Sequence, residues 1–497
     1  MVSSSQIIFT NTMKQLTELD SWTILEKHAA SLRHHTFTDF KKDKLHLNAC
    51  AISINFNYQL YDQNTIELLI KLANDVQLKN KIHSLISGEI VNKSEQRPAL
   101  HTALRIIDNS QVIVDGTDIM PDVLATREQM RLISTQIKSG KWLGYSNKPI
   151  KDIVNIGIGG SDFGPRFCIE ALSKFTDPTL AYHFISDADP DSFDDVLTNL
   201  NPETTLFIVS SKSFTTQETH YNTQKAFSWF DKSTKNYKDK HFIAVTANAD
   251  KAQQMGITHI LPIWNWVGGR YSVCSAINLI TCIAIGYEAF MTFLAGANQM
   301  DKHFYESEFH ENMPVMLALT GLWNINFLHI STHLLLVYTK QLEKFVAYVQ
   351  QLDMESNGKS IDNEGHFINY ATGPIVWGGS GNQAQHSYYQ LLCQGSHKVA
   401  GDFISLKQFD NEIINTMCKA KIKILSEGIN PLDKPNGLIT GGTPLNHISL
   451  ESCTPTTLGS LIALYEHKVY VQGVLWNINS FDQPGVESAK AARLVSA

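Results

Sequence analysis

Seven residues, Ser210-Ser211-Lys212-Ser213-Phe214-Thr215-Thr216, place five hydroxyls and an ammonium directly before a segment of helical character. Serine and threonine are favoured at helix starts, where one hydroxyl accepts from a free backbone N–H. One or two would satisfy a cap; five favour a bound anion such as phosphate. A second loop, Gly157-Ile158-Gly159-Gly160-Ser161-Asp162-Phe163-Gly164, permits close backbone approach to a ligand and also opens a helix. It fails the dinucleotide pattern G-x-G-x-x-G, since Asp162 stands at the last glycine, and Gly358-Lys359-Ser360 lacks the leading glycine of a P-loop. Nucleotide binding is disfavoured.

Groups able to move protons or hold charge lie elsewhere. The segment Gln351-Leu352-Asp353-Met354-Glu355-Ser356-Asn357-Gly358 has the pattern of a strand running into a turn, with Gln351, Asp353 and Glu355 on one side. Glu355 there is either a solvated turn residue or a general base tuned by partial burial. Arg270, beside Gly268-Gly269, is either a surface ion-pair partner or an enclosed clamp for an oxyanion; Trp264 and Trp266 favour the enclosed reading. His386 opens an expected helix, His386–Gln394, and is either structural or an acid–base group held neutral by the helix dipole. A helix beginning near Pro484 sets Gln483 and Lys490 two turns apart on one face, although a lone lysine near a C-terminus is usually solvated. His329 and His333, four apart on an expected helix, lack a following glutamate and a third ligand, so they read as core or interface histidines rather than a metal site.

These groups need a scaffold, and the 497 residues supply enough for two or three domains. From Asp152 onward, short β-rich runs alternate with helix-length stretches: Ile153–Ile158, Leu180–Ile185, Leu206–Ser210, Phe242–Thr246 and Ile260–Ile263, separated by helices such as Pro165–Lys174 and Gln217–Phe230. That rhythm predicts βαβ units with a parallel sheet. A second such region is expected from strands at Phe345–Met354, Ile375–Trp377, Val399–Leu406 and Lys468–Trp476, with helices at Asn411–Ser426 and Thr456–Tyr465. Gly159-Gly160-Ser161 and Gly378-Gly379-Ser380 each follow an expected strand, a weak hint of duplicated units. Residues 1 to about 109 read as helical. The charge-poor stretches Ala276–Ala297 and Asn312–Thr339 carry polar groups near their middles, so buried helices fit them better than membrane spans.

A net charge of −7, from 41 Lys+Arg and 48 Asp+Glu, argues against a nucleic-acid coat but not against a local anion pocket. Seven scattered cysteines without a Cys-x-x-Cys pair fit a reducing compartment. Residues Met1 to Thr10 lack the basic and apolar regions of a signal peptide, and a soluble, cytoplasmic protein is expected.

Taken together, the segments IGIGGSDFGP (Ile156–Pro165), SSKSFTTQET (Ser210–Thr219), WVGGRYS (Trp266–Ser272), QLDMESNGK (Gln351–Lys359), QHSYYQL (Gln385–Leu391) and YEHKVYVQGVLWNINSFDQPGVESAK (Tyr465–Lys490) resemble the glucose-6-phosphate isomerase family. Arg97–Arg105 matches its N-terminal part, so the resemblance spans about residue 90 to 490. It implies an α/β fold of two αβα sandwich (SIS-like) domains with parallel-rich sheets, N-terminal helices and a C-terminal helical arm. The implied division is 1–109 for the helical segment, 110–289 for the smaller sugar-phosphate-binding unit and 290–497 for the larger unit. The resemblance implies aldose–ketose isomerisation through a cis-enediol(ate), with neither metal nor other cofactor, and no membrane or nucleic-acid partner. Glu355 is then the base between C2 and C1. His386 and Lys490 assist ring opening, and Arg270 stabilises the enediolate. Gly160, Ser161, Ser211, Lys212, Ser213, Thr216, Gln351 and Gln483 line the sugar-phosphate pocket, with Glu218 a further candidate. A homodimer is implied, the histidine reaching the neighbouring subunit's site.

The sequence departs from the family's common form at Ser213, Asn265, Asn477, Pro484, Ser488-Ala489 and the loop Gly379–Ala384. Ser213 keeps the hydroxyl of the more usual threonine. Pro484 stands where a tryptophan is common.

Overall fold

The computed structural model describes residues 15–35, 37–40, 45–431 and 434–493. Near its start, β1 (His46–Ala49) and β2 (Ile52–Tyr58) pair antiparallel, and a short ribbon joins β3 (Ile113–Val114) to β4 (Thr117–Asp118). The first main sheet contains β5 (Asp152–Ile156), β6 (Ala181–Ile185), β7 (Thr205–Ser210), β8 (Phe242–Thr246) and β9 (His259–Pro262). Its order is β6-β5-β7-β8-β9, parallel throughout. Strands buried on both faces read as continuous apolar runs. Leu206–Val209 and Phe242–Val245, all buried, are of this kind, and this sheet lies where the sequence predicts it. Because β5 has β6 on one side and β7 on the other, the loops after β5 and β7 open together at one end, the usual ligand end of such sheets.

The second sheet adds β10 (Thr332–Val337), β11 (Ile375–Ser380), β12 (Ala400–Leu406) and β13 (Leu445–Leu450) in the order β1-β2-β13-β12-β10-β11. Here the helical reading of residues 1 to about 109 is corrected. Ile52, Ile54 and Phe56 alternate with Ser53 and Asn55, and β2 pairs antiparallel with β13 through Ile54 and Ile448.

Other expected strands are helices. Phe345–Met354 is the helix Phe345–Gln350 followed by a π-helical turn, Gln351–Glu355. Buried Phe345, Tyr348, Val349 and Leu352 fall at helical spacing, so the run is one helix face. Lys468–Trp476 belongs instead to the helix Pro455–Leu475, which is buried almost throughout. A helix enclosed on every side has no polar face to reveal its period. Within Asn312–Thr339, helix Met313–Leu322 and a π turn, Trp323–Phe327, precede strand β10. His329 and His333 therefore share no helix: His329 occupies a left-handed turn, and His333 lies in β10, 2.9 Å from Asp402 of β12. The paired Gly-Gly-Ser motifs are not equivalent either. Gly159-Gly160-Ser161 follows the first strand of its sheet, whereas Gly378-Gly379-Ser380 ends β11, the fourth strand of the other in chain order. Among the described residues, no helix is long and apolar enough to cross a membrane.

A buried ionic cluster ties the N-terminal part to the core. Arg105, fully buried, donates to Asp301 at 2.6 and 2.7 Å and to Glu466, and His467 lies 2.6 Å from Asp301. Burial pushes Glu466 up to about 7, while Arg105 and His467 hold Asp301 below its ordinary range against the burial that opposes them. Replacing Arg105 by Met strands two carboxylates in the interior. The expected loss is about 3–5 kcal/mol of unfolding free energy, measured as a lowered midpoint in urea.

Candidate active site

Two loops of the first sheet are locked together before any ligand arrives. Asn155, buried in β5, donates to the Ser161 carbonyl at 2.9 Å and accepts from the Ser210 hydroxyl at 3.1 Å. The glycine loop is thereby fixed to the hydroxyl turn. Within that turn Phe214 adopts a left-handed backbone, φ 53°, with its ring buried. Such a conformation persists in a non-glycine residue only where its surroundings hold it. Ser211 and Thr216 bring their hydroxyl oxygens to 3.3 Å, and Ser213, exposed, accepts from Thr215. Thr216 is the residue before the helix Gln217–Asp231, yet its side chain makes no capping bond. The Thr216 hydroxyl is therefore not consumed by the helix start, and this end of the 15-residue helix carries the first-turn N–H groups and positive dipole end that favour anions. Glu218 is half-buried in the first turn. Lys212 turns toward the next loop and donates to the carbonyls of Asn265 and Val267 at 2.9 and 2.7 Å; burial, helped by Arg97, lowers its ammonium to about 8.

The loop after β9 carries Arg270 inward. Gly160 makes this possible, because a Cβ there would lie 2.0 Å from the Gly269 carbonyl oxygen. Arg270 is 4% exposed. Its Nε donates to Ser356 Oγ at 2.6 Å, Nη1 to Gln483 Oε1 at 3.0 Å, and Nη2 to the carbonyls of Ser480 and Asp482 at 2.7 and 3.0 Å. Nη1 also lies 3.5 Å from Glu355 Oε2.

Glu355 ends the π turn, and its Oε2 accepts from Gln351 at 3.0 Å. Gln351 in turn borders Gly159 of the glycine loop. The Glu355 side chain keeps 24% exposure, so the carboxylate is largely enclosed but still reaches solvent. Asp353 does not share its face, as the strand reading expected. On the helix it points inward and accepts from Lys468 at 2.9 Å, both side chains being buried.

Thus Gly160, Gln351, Glu355, Arg270 and Gln483 meet at one place, with the Ser211–Thr216 turn tied to its wall through Asn155 and Lys212. His386 and Lys490 do not join them within the chain. His386 is exposed in the turn after β11 and the short helix Gly381–Ala384, and among the described residues no hydrogen bond or ion pair links it to Glu355. The helix Pro484–Arg493 starts as the sequence predicts, but Lys490 is exposed and donates to Glu487 at 3.1 Å. Ser356 and Tyr271, whose hydroxyls lie 3.1 Å apart, escaped the sequence reading, as did Asp482. Ser356 follows the candidate base directly, a signal that was present but read only as a turn. The Ser480 and Asp482 carbonyls carry no side-chain signal at all.

A carboxylate beside a desolvated guanidinium, close to a hydroxyl-rich turn, can take a proton from carbon and hold the oxyanion that results. Comparison with known proteins agrees in kind. Residues 55–495 match the family described as phosphoglucose isomerase. The chain is 56% identical over 488 residues to the glucose-6-phosphate isomerase of Legionella pneumophila (strain Lens), covering 97% of each chain. It is 42% identical to that of Shewanella loihica, covering 96% of this chain and 94% of the other. The crystal structure of a glucose-6-phosphate isomerase from Chlamydia trachomatis superposes with a TM-score of 0.89 at 29% identity, covering 97% of this chain and 96% of that one.

The contact at Gly160 gives a direct test. Gly160→Ala drives a methyl group into the Gly269 carbonyl and pries the two loops apart. An expected cost of about 1–3 kcal/mol is read from chemical denaturation.

Proposed function

The chain belongs to the phosphoglucose isomerase family, and we propose that Glu355 and Arg270 are the centre at which it interconverts D-glucose 6-phosphate and D-fructose 6-phosphate. It is an aldose–ketose isomerase of glycolysis and gluconeogenesis. The observation that carries the roles is the Glu355–Arg270 pair itself, 3.5 Å apart and walled by Gln351 and Gln483.

The phosphate anchors in the hydroxyl turn, on Ser211, Ser213, Thr216 and the N-terminal N–H groups of helix Gln217–Asp231, with Gly160, Ser161 and Lys212 completing the pocket. It positions the reacting carbons and is not itself transferred. After ring opening, the Glu355 carboxylate removes the proton from C2 of the aldehyde. The C2–H electron pair forms the C1–C2 double bond, and the carbonyl pair moves onto O1. Negative charge thus leaves Glu355 and appears on the sugar oxygen, and Arg270 lies alongside both places. Return of the proton to C1, with the O2 proton passed to O1, leaves the ketose. A positioned base contributes ~10²–10⁴-fold and an oxyanion donor about 3–4 kcal/mol. These steps exchange protons only, so they require no redox cofactor.

Ring opening falls to His386 and Lys490, proton donors and acceptors at the ring oxygen and the C1 hydroxyl. His386 is exposed in its own chain, which fits a homodimer in which the histidine reaches the neighbouring subunit's site. Lys490 lies on the helix Pro484–Arg493, which starts directly after Gln483. The seven cysteines are all free, which suits a reducing cytoplasm.

Three measurements decide these roles. Fructose 6-phosphate should yield glucose 6-phosphate in a coupled assay in the presence of a chelator; no product in either direction rejects the activity. Glu355→Gln should lower kcat by ~10²–10⁴-fold and stop C2 deuterium exchange in heavy water, while sugar-phosphate binding persists. Mixing inactive Glu355→Gln and His386→Ala subunits under exchange should restore activity, since one site of the hybrid then holds both native groups. Continued inactivity of the mixture rejects the shared site.

A further inference from the structure

Lys359 lies four residues beyond Glu355, where the helix that begins at Phe345 has just ended at Asn357. A helix end leaves its last carbonyls without donors from the helix. The Lys359 ammonium fills two of these places, 3.3 Å from the Glu355 carbonyl oxygen and 2.5 Å from that of Ser356. It also stands 3.3 Å from Asp482 Oδ1. Asp482 adjoins Gln483 in the C-terminal loop, and its other oxygen accepts from Ser94, which Asn479 of the same loop also contacts. The Lys359 and Asp482 side chains are each 12% exposed.

Two cations therefore grip the same two pieces of chain. Arg270 holds the Glu355 carboxylate and the loop carbonyls of Ser480 and Asp482. Lys359 holds the Glu355 backbone and the Asp482 carboxylate. We propose that Lys359 and Asp482 form a positioning clamp, which locks the turn bearing Glu355 to the loop bearing Gln483 and so fixes the carboxylate for proton transfer. This inference rests on Glu355 being the base. The charge balance gives the clamp a second purpose. Asp482 neutralises Lys359, so the charge of Arg270 is left for Glu355 and then for the enediolate. Burial and the neighbouring Arg270 depress the Lys359 ammonium to about 8, so the site keeps this charge against a desolvation cost that a neutral side chain would avoid.

The test compares the full-length parent with Lys359→Met, Asp482→Asn and, as a control, Glu355→Gln, using fructose 6-phosphate as substrate. Lys359→Met keeps the apolar stem but loses charge and donors. Its kcat should fall by about tenfold or more and its C2 exchange with it, while KM stays within about threefold, because the phosphate turn is untouched. Asp482→Asn should lower kcat by about three- to tenfold with the same KM behaviour. A purely structural lysine would lower the melting temperature and leave kcat per folded site unchanged. A Lys359→Met kcat within about threefold of the parent overturns the proposal, and so does a KM increase above about tenfold at unchanged kcat. If Lys359→Met does not fold, Asp482→Asn decides: a reduced kcat supports the clamp and an unchanged one overturns it. Full activity in Glu355→Gln would instead reject the base assignment, so the two failures are told apart.

Discussion

A guanidinium has five donors and no acceptor, and one taken out of water must find an oxygen for each N–H. Arg270 meets that demand with Ser356 Oγ, Gln483 Oε1, two carbonyls of the C-terminal loop and the nearby Glu355 carboxylate. Those acceptors come from the end of the π turn and the residue after it, and from a loop near the end of the chain. Arg270 itself comes from the loop that follows the last strand of the first sheet. Segments more than 200 residues apart must converge for one side chain to be buried, and the candidate site lies where they do. The charge beside Glu355 and the assembly of the candidate site therefore have the same origin.

How much of this could be read from residues alone depended on the kind of burial. The parallel strands β5, β7 and β8 were legible because apolar runs bounded by turn residues have few other readings. The helix Pro455–Leu475 was not, since burial on all sides erases the polar face that shows a period of 3.6. Strand β10 hid inside a charge-free stretch that begins as a helix, and no periodicity marks where one ends and the other begins. β2 was missed although Ile52, Ile54 and Phe56 alternate, because its partner β13 lies nearly 400 residues away.

The candidate site shows the same division. Loops such as Gly157–Gly164 and Ser210–Thr216 announce themselves by composition, and Arg270 by the glycines beside it. The aim of Glu355 could not be read, because a strand and a helix place Asp353 on opposite sides of it. The strand reading paired the two carboxylates; the helix sends Asp353 to Lys468 and leaves Glu355 with Gln351 and Arg270. His386 and Lys490 were named through family resemblance, and one chain by itself does not assemble them with the base. Both side chains are exposed, His386 in a turn and Lys490 on the helix Pro484–Arg493, and no local pattern says where such a side chain is used.

The π turn at Gln351–Glu355 has a further implication. A π turn holds one residue more than regular α-helical winding would take. Removing one of Leu352, Asp353 or Met354 could heal the backbone into an ordinary α-helix and leave the winding beyond it in place, but residues inside the turn would move by up to about 100° around the axis, and Gln351 and Glu355 would stand three positions apart instead of four. Glu355 would then survive as a letter in the sequence while facing a different neighbour. The bearing of the carboxylate is thus written in the number of residues before it as much as in their identities, and chain length at this spot is under a constraint that no single substitution would expose.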